Sequence, residues 1–294
     1  MLAPTAGPHI DARVDSRVEI APLSTLGLRH DALVWSLAQM SDPAERFSER
    51  VAVVTGGAAG IGFATARAFA REGARVVIVD LDEQRLSAAA AELGVDPIRA
   101  DVASEADVVA MIAAVLERHD RIDILVNLAG IYPVASIEDE TLAGWKRLIE
   151  VNLDSTFLCC KHALPHMRAR RYGRIVNVSS GTVGLGPPGL TAYVATKAGV
   201  VGLSRVLSRE AGPDGVTVNV MMPGLIATPR ALDEFGDPGE AGGGAVFANA
   251  IDHQAIKRTG EPDDIAHGIL FLCEERSSWM TGQTLQIDGG WNFT

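Results

Sequence analysis

Residues 50–62 read RVAVVTGGAAGIG, an apolar β-branched run that stops abruptly in glycines. Val51–Thr55 has the continuous apolar character of a strand covered on both faces rather than one. The helical pattern that follows begins almost at once, so the chain has to reverse within a few residues. Gly56, Gly60 and Gly62 sit where such a turn needs them. They permit the sharp bend, let a pyrophosphate approach the backbone, and let a helix pack on the strand with its N-terminal N–H groups facing the anion. A plain tight turn is the alternative reading of the glycines alone.

Working outward, the same rhythm repeats. Apolar runs at 51–55, 75–79, 122–126, 174–178, 215–220 and 283–287 read as strands. Ala/Leu-rich stretches at 61–72, 82–93, 104–118, 141–170, 191–211 and 262–274 read as helices. Strands alternating with helices predict an α/β fold with a doubly wound parallel sheet, of the Rossmann type. Two regions break the rhythm. Residues 229–255, rich in glycine and acidic residues, read as a mobile insertion placed to serve as a substrate lid. Residues 1–46, with four prolines, read as an N-terminal extension, either a disordered tail or a docked helix formed by DALVWSLAQM (31–40). The dinucleotide-type domain is then 47–294.

Bulk properties narrow the function. The 294 residues are 47% hydrophobic, enough for a sizeable core, and no apolar run reaches the length of a membrane span. A net charge of −11 and a pI near 5.1 oppose nucleic acid as a partner, since phosphate neutralisation needs a basic surface. Three cysteines, Cys159, Cys160 and Cys273, form neither a disulfide framework nor a zinc spacing. With no signal-peptide pattern at the N-terminus, the expectation is a cytoplasmic protein. No metal is expected. His162 and His166 share a helix face without an evident third ligand and read as surface histidines. The AGGGA run at 241–245 lacks the strand-then-helix context of a phosphate loop.

Asp80 ends the second strand, eighteen residues after Gly62, where a carboxylate accepts from the two hydroxyls of an adenosine ribose. A 2′-phosphate there would meet a like charge, and neither Ala59 nor Leu81 offsets it, so NAD is expected rather than NADP. Further on, TAYVATKAG (191–199) places Tyr193 one helical turn before Lys197. Taken alone, that pair is ordinary helix spacing.

Together these features resemble the short-chain dehydrogenase/reductase family over residues 47–294. The motif Thr-Gly-x-x-x-Gly-x-Gly corresponds to TGGAAGIG (55–62), RADV (99–102) to the adenine-ring contact, NLAG (127–130) to Asn-Asn-Ala-Gly, and PGLIATP (223–229) to the segment beneath the nicotinamide. RTGEPDDIA and MTGQTLQIDGG complete the family's usual C-terminal pattern. Leu128 departs from the family asparagine. The resemblance implies cofactor contacts at Gly56, Gly60, Ile61, Gly62, Asp80, Asp101, Val102, Asn127, Gly130, Tyr193, Lys197, Pro223, Gly224, Ile226 and Thr228. It implies a catalytic set of Asn152, Ser180, Tyr193 and Lys197. Ser180 lies thirteen residues before the tyrosine, with Ser179 beside it as the second choice. A homotetramer or homodimer, built through the helices at 141–170 and beyond Tyr193, is also implied.

The roles are chemically coherent. Hydride leaves a carbinol carbon only if the hydroxyl proton leaves too, so a base must lie within hydrogen-bond reach. A phenol is too weakly ionised at neutral pH unless cationic neighbours favour its phenolate. Tyr193 would be that base, Lys197 its ammonium neighbour and the holder of the nicotinamide ribose, and Ser180 the stabiliser of charge on the substrate oxygen. Asn152 would hold a water that relays protons to Lys197. The expected activity is interconversion of a secondary alcohol and a ketone, with Ile131, Tyr132, Thr182, Leu185, Pro187 and Leu225 facing the substrate. Arg230 reads as a solvated cation, with carboxylate binding as the alternative. Two other readings stand beside this one: a 3-oxoacyl thioester reductase, and a non-catalytic nucleotide sensor or scaffold.

Overall fold

The computed structural model describes residues 45–238 and 244–293. The possible helix at 31–40, and nearly all of the N-terminal extension, lie outside the described residues. Strands β1 (Val51–Thr55), β2 (Arg75–Asp80), β3 (Asp96–Arg99), β4 (Ile124–Asn127), β5 (Gly173–Val178), β6 (Val216–Pro223) and β7 (Thr284–Ile287) form one sheet in the order β3-β2-β1-β4-β5-β6-β7. Every pairing is parallel. Strand β3 is the one the sequence reading missed. It has four residues, carries Pro97 and alternates between partly buried and exposed positions, so it offers no apolar run. As an edge strand it tolerates proline, because one side of its ladder is open.

The principal helices are α1 (Gly60–Arg71), α2 (Glu83–Leu93), α3 (Glu105–His119), α4 (Leu142–Ile149), α5 (Ser155–Ala169), α6 (Thr182–Leu185), α7 (Thr191–Ala211), α8 (Pro229–Phe235), α9 (Ala245–His253) and α10 (Pro262–Cys273). They cover the sheet on both faces. On one side Val108, Met111 and Val115 of α3 and Leu158, Ala163 and Met167 of α5 pack on Val53, Leu125 and Ile175. On the other, Phe69 of α1 and Ile265 and Ile269 of α10 pack on Val54, Ile78 and Val126. Successive strand residues point to opposite faces, so unbroken apolar strands feed both layers.

Two expectations need correction, and a third gains detail. The stretch 229–255, expected as a mobile insertion placed to serve as a substrate lid, contains α8 and α9, whose Phe235 and Phe247 meet edge to face at 6.5 Å. Short helices between glycines escape a reading that depends on long periodic windows. The expected single helix over 141–170 is divided by a π-helical turn, Glu150–Asp154. Arg46, assigned to the extension, belongs to the domain edge, where its guanidinium bonds Glu72 at 2.6 Å and Glu274 at 3.2 Å. Phe47 beside it is buried against Phe69 at 4.9 Å.

The amino ends of the strands are closed by polar contacts. Asp123, fully buried, accepts from the Val51 N–H at 2.9 Å and from Arg121 at 2.5 and 2.7 Å. The Tyr172 ring lies between Arg50 and Arg174 at 3.8 and 4.4 Å. The opposite, carboxyl ends carry the loops that form the cleft.

Candidate active site

The strand order reverses between β1 and β4, and a cleft of about 390 Å³ opens beyond their carboxyl ends. Such a switch point separates the loops that follow the two strands, and ligands of open α/β sheets bind there. The glycine loop forms its floor. Gly56 has φ +66° and approaches the backbone of Ala129 so closely that a Cβ would sit 3.0 Å from it. A Cβ on Gly62 would fall on the carbonyl oxygen of Gly56. Gly60 (φ +53°) opens α1 and faces the Thr228 methyl across the cleft. Ala59 at the N-cap offers no side-chain cap, so the first-turn N–H groups of α1 are left for an anion.

Asp80 ends β2 at the cleft wall. One carboxylate oxygen accepts from the Ala58 N–H of the glycine loop at 3.3 Å, the other from the Asp82 N–H at 3.2 Å. Leu81, Arg85, Asp101 and Val102 line the same end. Asp101 is fixed by its own loop: its backbone N–H donates to Asp107 and its carboxylate accepts from the Ala103 N–H, each at 3.0 Å. The residues here that could hold a dinucleotide are the glycine backbone at 56–62, with the first-turn N–H groups of α1, and the Asp80 and Val102 side chains.

The Asn127 side chain serves the sheet. It turns inward, where Nδ2 donates to Asn177 Oδ1 at 2.8 Å and contacts Cys160 Sγ at 3.4 Å, so it fastens β4 to β5 rather than lining the cleft. Sequence reasoning also passed over Thr55, whose hydroxyl accepts from the Leu128 and Ala129 N–H groups at 3.1 and 3.3 Å. It joins the NLAG loop to the end of β1. Ile226 is likewise buried, bridged to Gly260, while Pro223 and Gly224 are tied by backbone bonds to Gly181 and Ile287. Of the segment 223–228, Thr228 reaches the cleft wall, next to Gly60.

The chemical end gathers three elements. Ser179 and Ser180 follow β5, Tyr193 and Lys197 lie on α7, and Asn152 occupies the π turn. Ser179 is committed to structure, donating to the Lys197 carbonyl at 2.9 Å. Ser180 accepts from the Thr182 hydroxyl at 2.9 Å and stands close enough to the Tyr193 phenol to act on its ionisation. Burial pushes the Tyr193 phenol above its ordinary range, while Ser180 pulls it back. Lys197 is 5% exposed; its Nζ donates to the Val178 carbonyl at 2.8 Å and lies 5.8 Å from the centre of the Tyr193 ring. Burial lowers its pKa to about 8. Asn152, fully buried, accepts from the Ile131 N–H at 2.8 Å, donates to the Ile131 carbonyl at 2.8 Å, and contacts the Thr196 hydroxyl at 3.3 Å. The π turn brings this side chain inward, a frequent use of such a bulge. Tyr132 stands over the site, 6.1 Å from the Tyr193 ring.

Elsewhere the candidates are structural. His162 pairs with Glu105 at 2.9 Å, and among the described residues no three His, Cys, Asp or Glu side chains converge as a metal site. All three cysteines are free and buried. No described helix is long and apolar enough to cross a membrane.

Residues 56–292 match a family model described as enoyl-(acyl carrier protein) reductase. A (2S)-[(R)-hydroxy(phenyl)methyl]succinyl-CoA dehydrogenase subunit of Thauera aromatica is 40% identical over 82% of this chain and 96% of its own. The chain belongs to the short-chain dehydrogenase/reductase family. A second relative, the cis-4-hydroxycyclohexanecarboxylate dehydrogenase of Sinomonas cyclohexanicum, is 39% identical over 84% of this chain and 98% of its own. Among solved structures, levodione reductase superposes with a TM-score of 0.77 at 33% identity, covering 83% of this chain and 97% of the other. Short-chain dehydrogenases are oxidoreductases that use nicotinamide cofactors, and this chain's relatives include dehydrogenases of alcohols.

Proposed function

We propose that this short-chain dehydrogenase interconverts a secondary alcohol and a ketone with NAD, and that Tyr193 is the acid/base. The observation that carries the reading is the convergence of Ser180, Tyr193 and Lys197 at the end of the dinucleotide cleft. When bound, the nicotinamide supplies the hydride acceptor or donor. In the oxidative direction Tyr193 takes the hydroxyl proton, and Ser180 holds the substrate oxygen as its bonding changes. The Lys197 ammonium favours the phenolate and lies within reach of the nicotinamide ribose. Asn152, anchored on Ile131, holds the proton-relay water behind Lys197. Glycines 56, 60 and 62, Asp80, Asp101 and Val102 hold the rest of the cofactor.

Asp80 supports NAD over NADP. Arg85 lines the same end of the cleft and works against that preference, although its guanidinium is drawn to Asp82 at 3.3 Å. We also propose a cytoplasmic homotetramer or homodimer. An apolar groove between α5 and α7, lined by Phe157, Leu164, Leu203 and Val206, supports association, with Phe157 48% and Val206 59% exposed. Three buried free thiols suit a reducing compartment.

The test is a panel of secondary alcohols with NAD, read as NADH absorbance. Turnover of simple alcohols supports the reading. Turnover confined to 3-oxoacyl thioesters with NADH moves it to the thioester reductase, for which the relative acting on a succinyl-CoA compound is the supporting observation. Cofactor binding without turnover of any panel member moves it to the sensor.

A further inference from the structure

Arg230 follows Pro229 at the start of α8, and both line the cleft. Its guanidinium carbon lies 4.3 Å from the centre of the Tyr132 ring, and that ring is 6.1 Å from the ring of Tyr193. The charge is therefore no further from the proposed acid/base than those two distances joined. It is felt at both phenols, favouring the ionised form of each. Glu234, one turn along α8, acts on Tyr132 in the opposite sense, yet among the described residues no carboxylate forms an ion pair with Arg230. The other cleft arginines differ: Arg85 pairs with Asp82, and Arg147 with Glu150 and Asp101.

A guanidinium stacked on an aromatic face spends none of its in-plane N–H donors on that contact. The stack holds the side chain still while the planar fork remains free for two parallel hydrogen bonds to a carboxylate. Ile131 and Tyr132 line the cleft beside Arg230 and give that wall an apolar character. We infer that Arg230 is a specificity-determining residue that binds the carboxylate of the substrate, which is thus a hydroxy acid or keto acid whose two groups are separated by an apolar ring or short chain. This rests on the oxidoreductase reading above and adds the substrate's charge to it.

The experiment compares wild type, Arg230→Leu and Arg230→Lys on 3-hydroxybutyrate, 4-hydroxypentanoate and 3- and 4-hydroxycyclohexanecarboxylate, each beside its methyl ester. Binding of each acid and ester to the NADH-loaded protein is followed in parallel by nicotinamide fluorescence. We expect at least one acid to bind or turn over better than its ester. In Arg230→Leu its KM and dissociation constant should rise at least ~10-fold, with the ester unchanged and the NAD dissociation constant within twofold of wild type. Arg230→Lys should restore part of the loss. Equal losses on acid and ester, or weakened NAD binding, would place Arg230 at the cofactor or in the fold and overturn the inference. An ester preference in wild type overturns it while leaving the oxidoreductase reading intact. NAD binding with neither turnover nor binding of any probe overturns both.

Discussion

Asn152 holds Ile131 by both backbone groups, accepting from its N–H and donating to its carbonyl at 2.8 Å each, from inside a π turn. The side chain thus occupies the two polar groups of the residue that begins the substrate wall. Asn152→Leu keeps comparable bulk and removes both bonds, leaving a part-buried donor and a part-buried acceptor unpaired. Each such group costs about 1–3 kcal/mol. With both groups only partly buried, urea unfolding of the cofactor-free protein should show a loss at the low end of that sum, about 2 kcal/mol. An unchanged unfolding midpoint would mean that solvent or a rearranged loop satisfies Ile131 in the variant.

Tyr193→Phe retains the ring packing against Tyr132 and removes only the hydroxyl beside Ser180. Turnover should fall by at least ~10²-fold, the scale of a lost general base, with NAD affinity near that of wild type. Steady-state kinetics and cofactor titration together check it. Retention of most of the activity would remove Tyr193 from the chemistry.

Lys197 gives a pH signature in stability. Burial lowers its pKa from 10.5 to about 8 in the folded chain. Between those values the unfolded chain binds more protons than the folded one, so stability rises with pH across that window. Below about pH 8 the buried ammonium is a standing cost, of order 3 kcal/mol for a shift of this size. Lys197→Met should therefore be more stable than wild type at pH 7, and the two should converge toward pH 10. Thermal or urea unfolding of both proteins without cofactor, at matched pH, measures the difference. Parallel pH profiles would show that Lys197 keeps an ordinary pKa.

With Asp80 holding the adenosine ribose as proposed, NADP would lose the diol contact and bring a phosphate against a carboxylate. Charge-assisted hydrogen bonds contribute about 1.5–3 kcal/mol, and the repulsion acts in the same direction. We expect at least ~100-fold preference for NAD in kcat/KM, equivalent to about 2.7 kcal/mol. Asp80→Ala should narrow it, and Leu81→Arg added to that variant should narrow it further. Near-equal wild-type efficiencies, lost on Arg85→Ala, would show that Arg85 leaves Asp82 for the 2′-phosphate.

The groove between α5 and α7 predicts an association-dependent protein. Val206→Glu places a charge on its exposed apolar wall without touching the cleft. Sedimentation velocity should show a smaller species than wild type at equal concentration. An unchanged sedimentation coefficient would move the interface elsewhere.

The sheet was legible because periodicity and turn chemistry are local. Continuous β-branched runs, helical spacing and Gly56-Gly60-Gly62 each report on a few neighbouring residues, and six of the seven strands follow from them. Strand β3 was not, because an edge strand with one open side needs neither an apolar run nor freedom from proline, and Pro97 hides it. The π turn was also illegible, since the contact it carries is with the distant backbone of Ile131. The same limit explains Asn127, Thr55 and Arg230. The sequence shows an asparagine in a cofactor motif, a threonine before a glycine and an arginine in an acidic stretch. Whether each meets a cofactor, a neighbouring strand or an aromatic ring depends on which loops the parallel crossovers bring together. Sequence alone determined the doubly wound sheet, the glycine cradle and the Tyr193–Lys197 spacing, all consequences of backbone geometry over one or two turns. Only the tertiary structure decided that Asn127 faces Asn177, that Asn152 grips Ile131 and that Arg230 lies on Tyr132, because those partners are far apart in the chain and meet through packing.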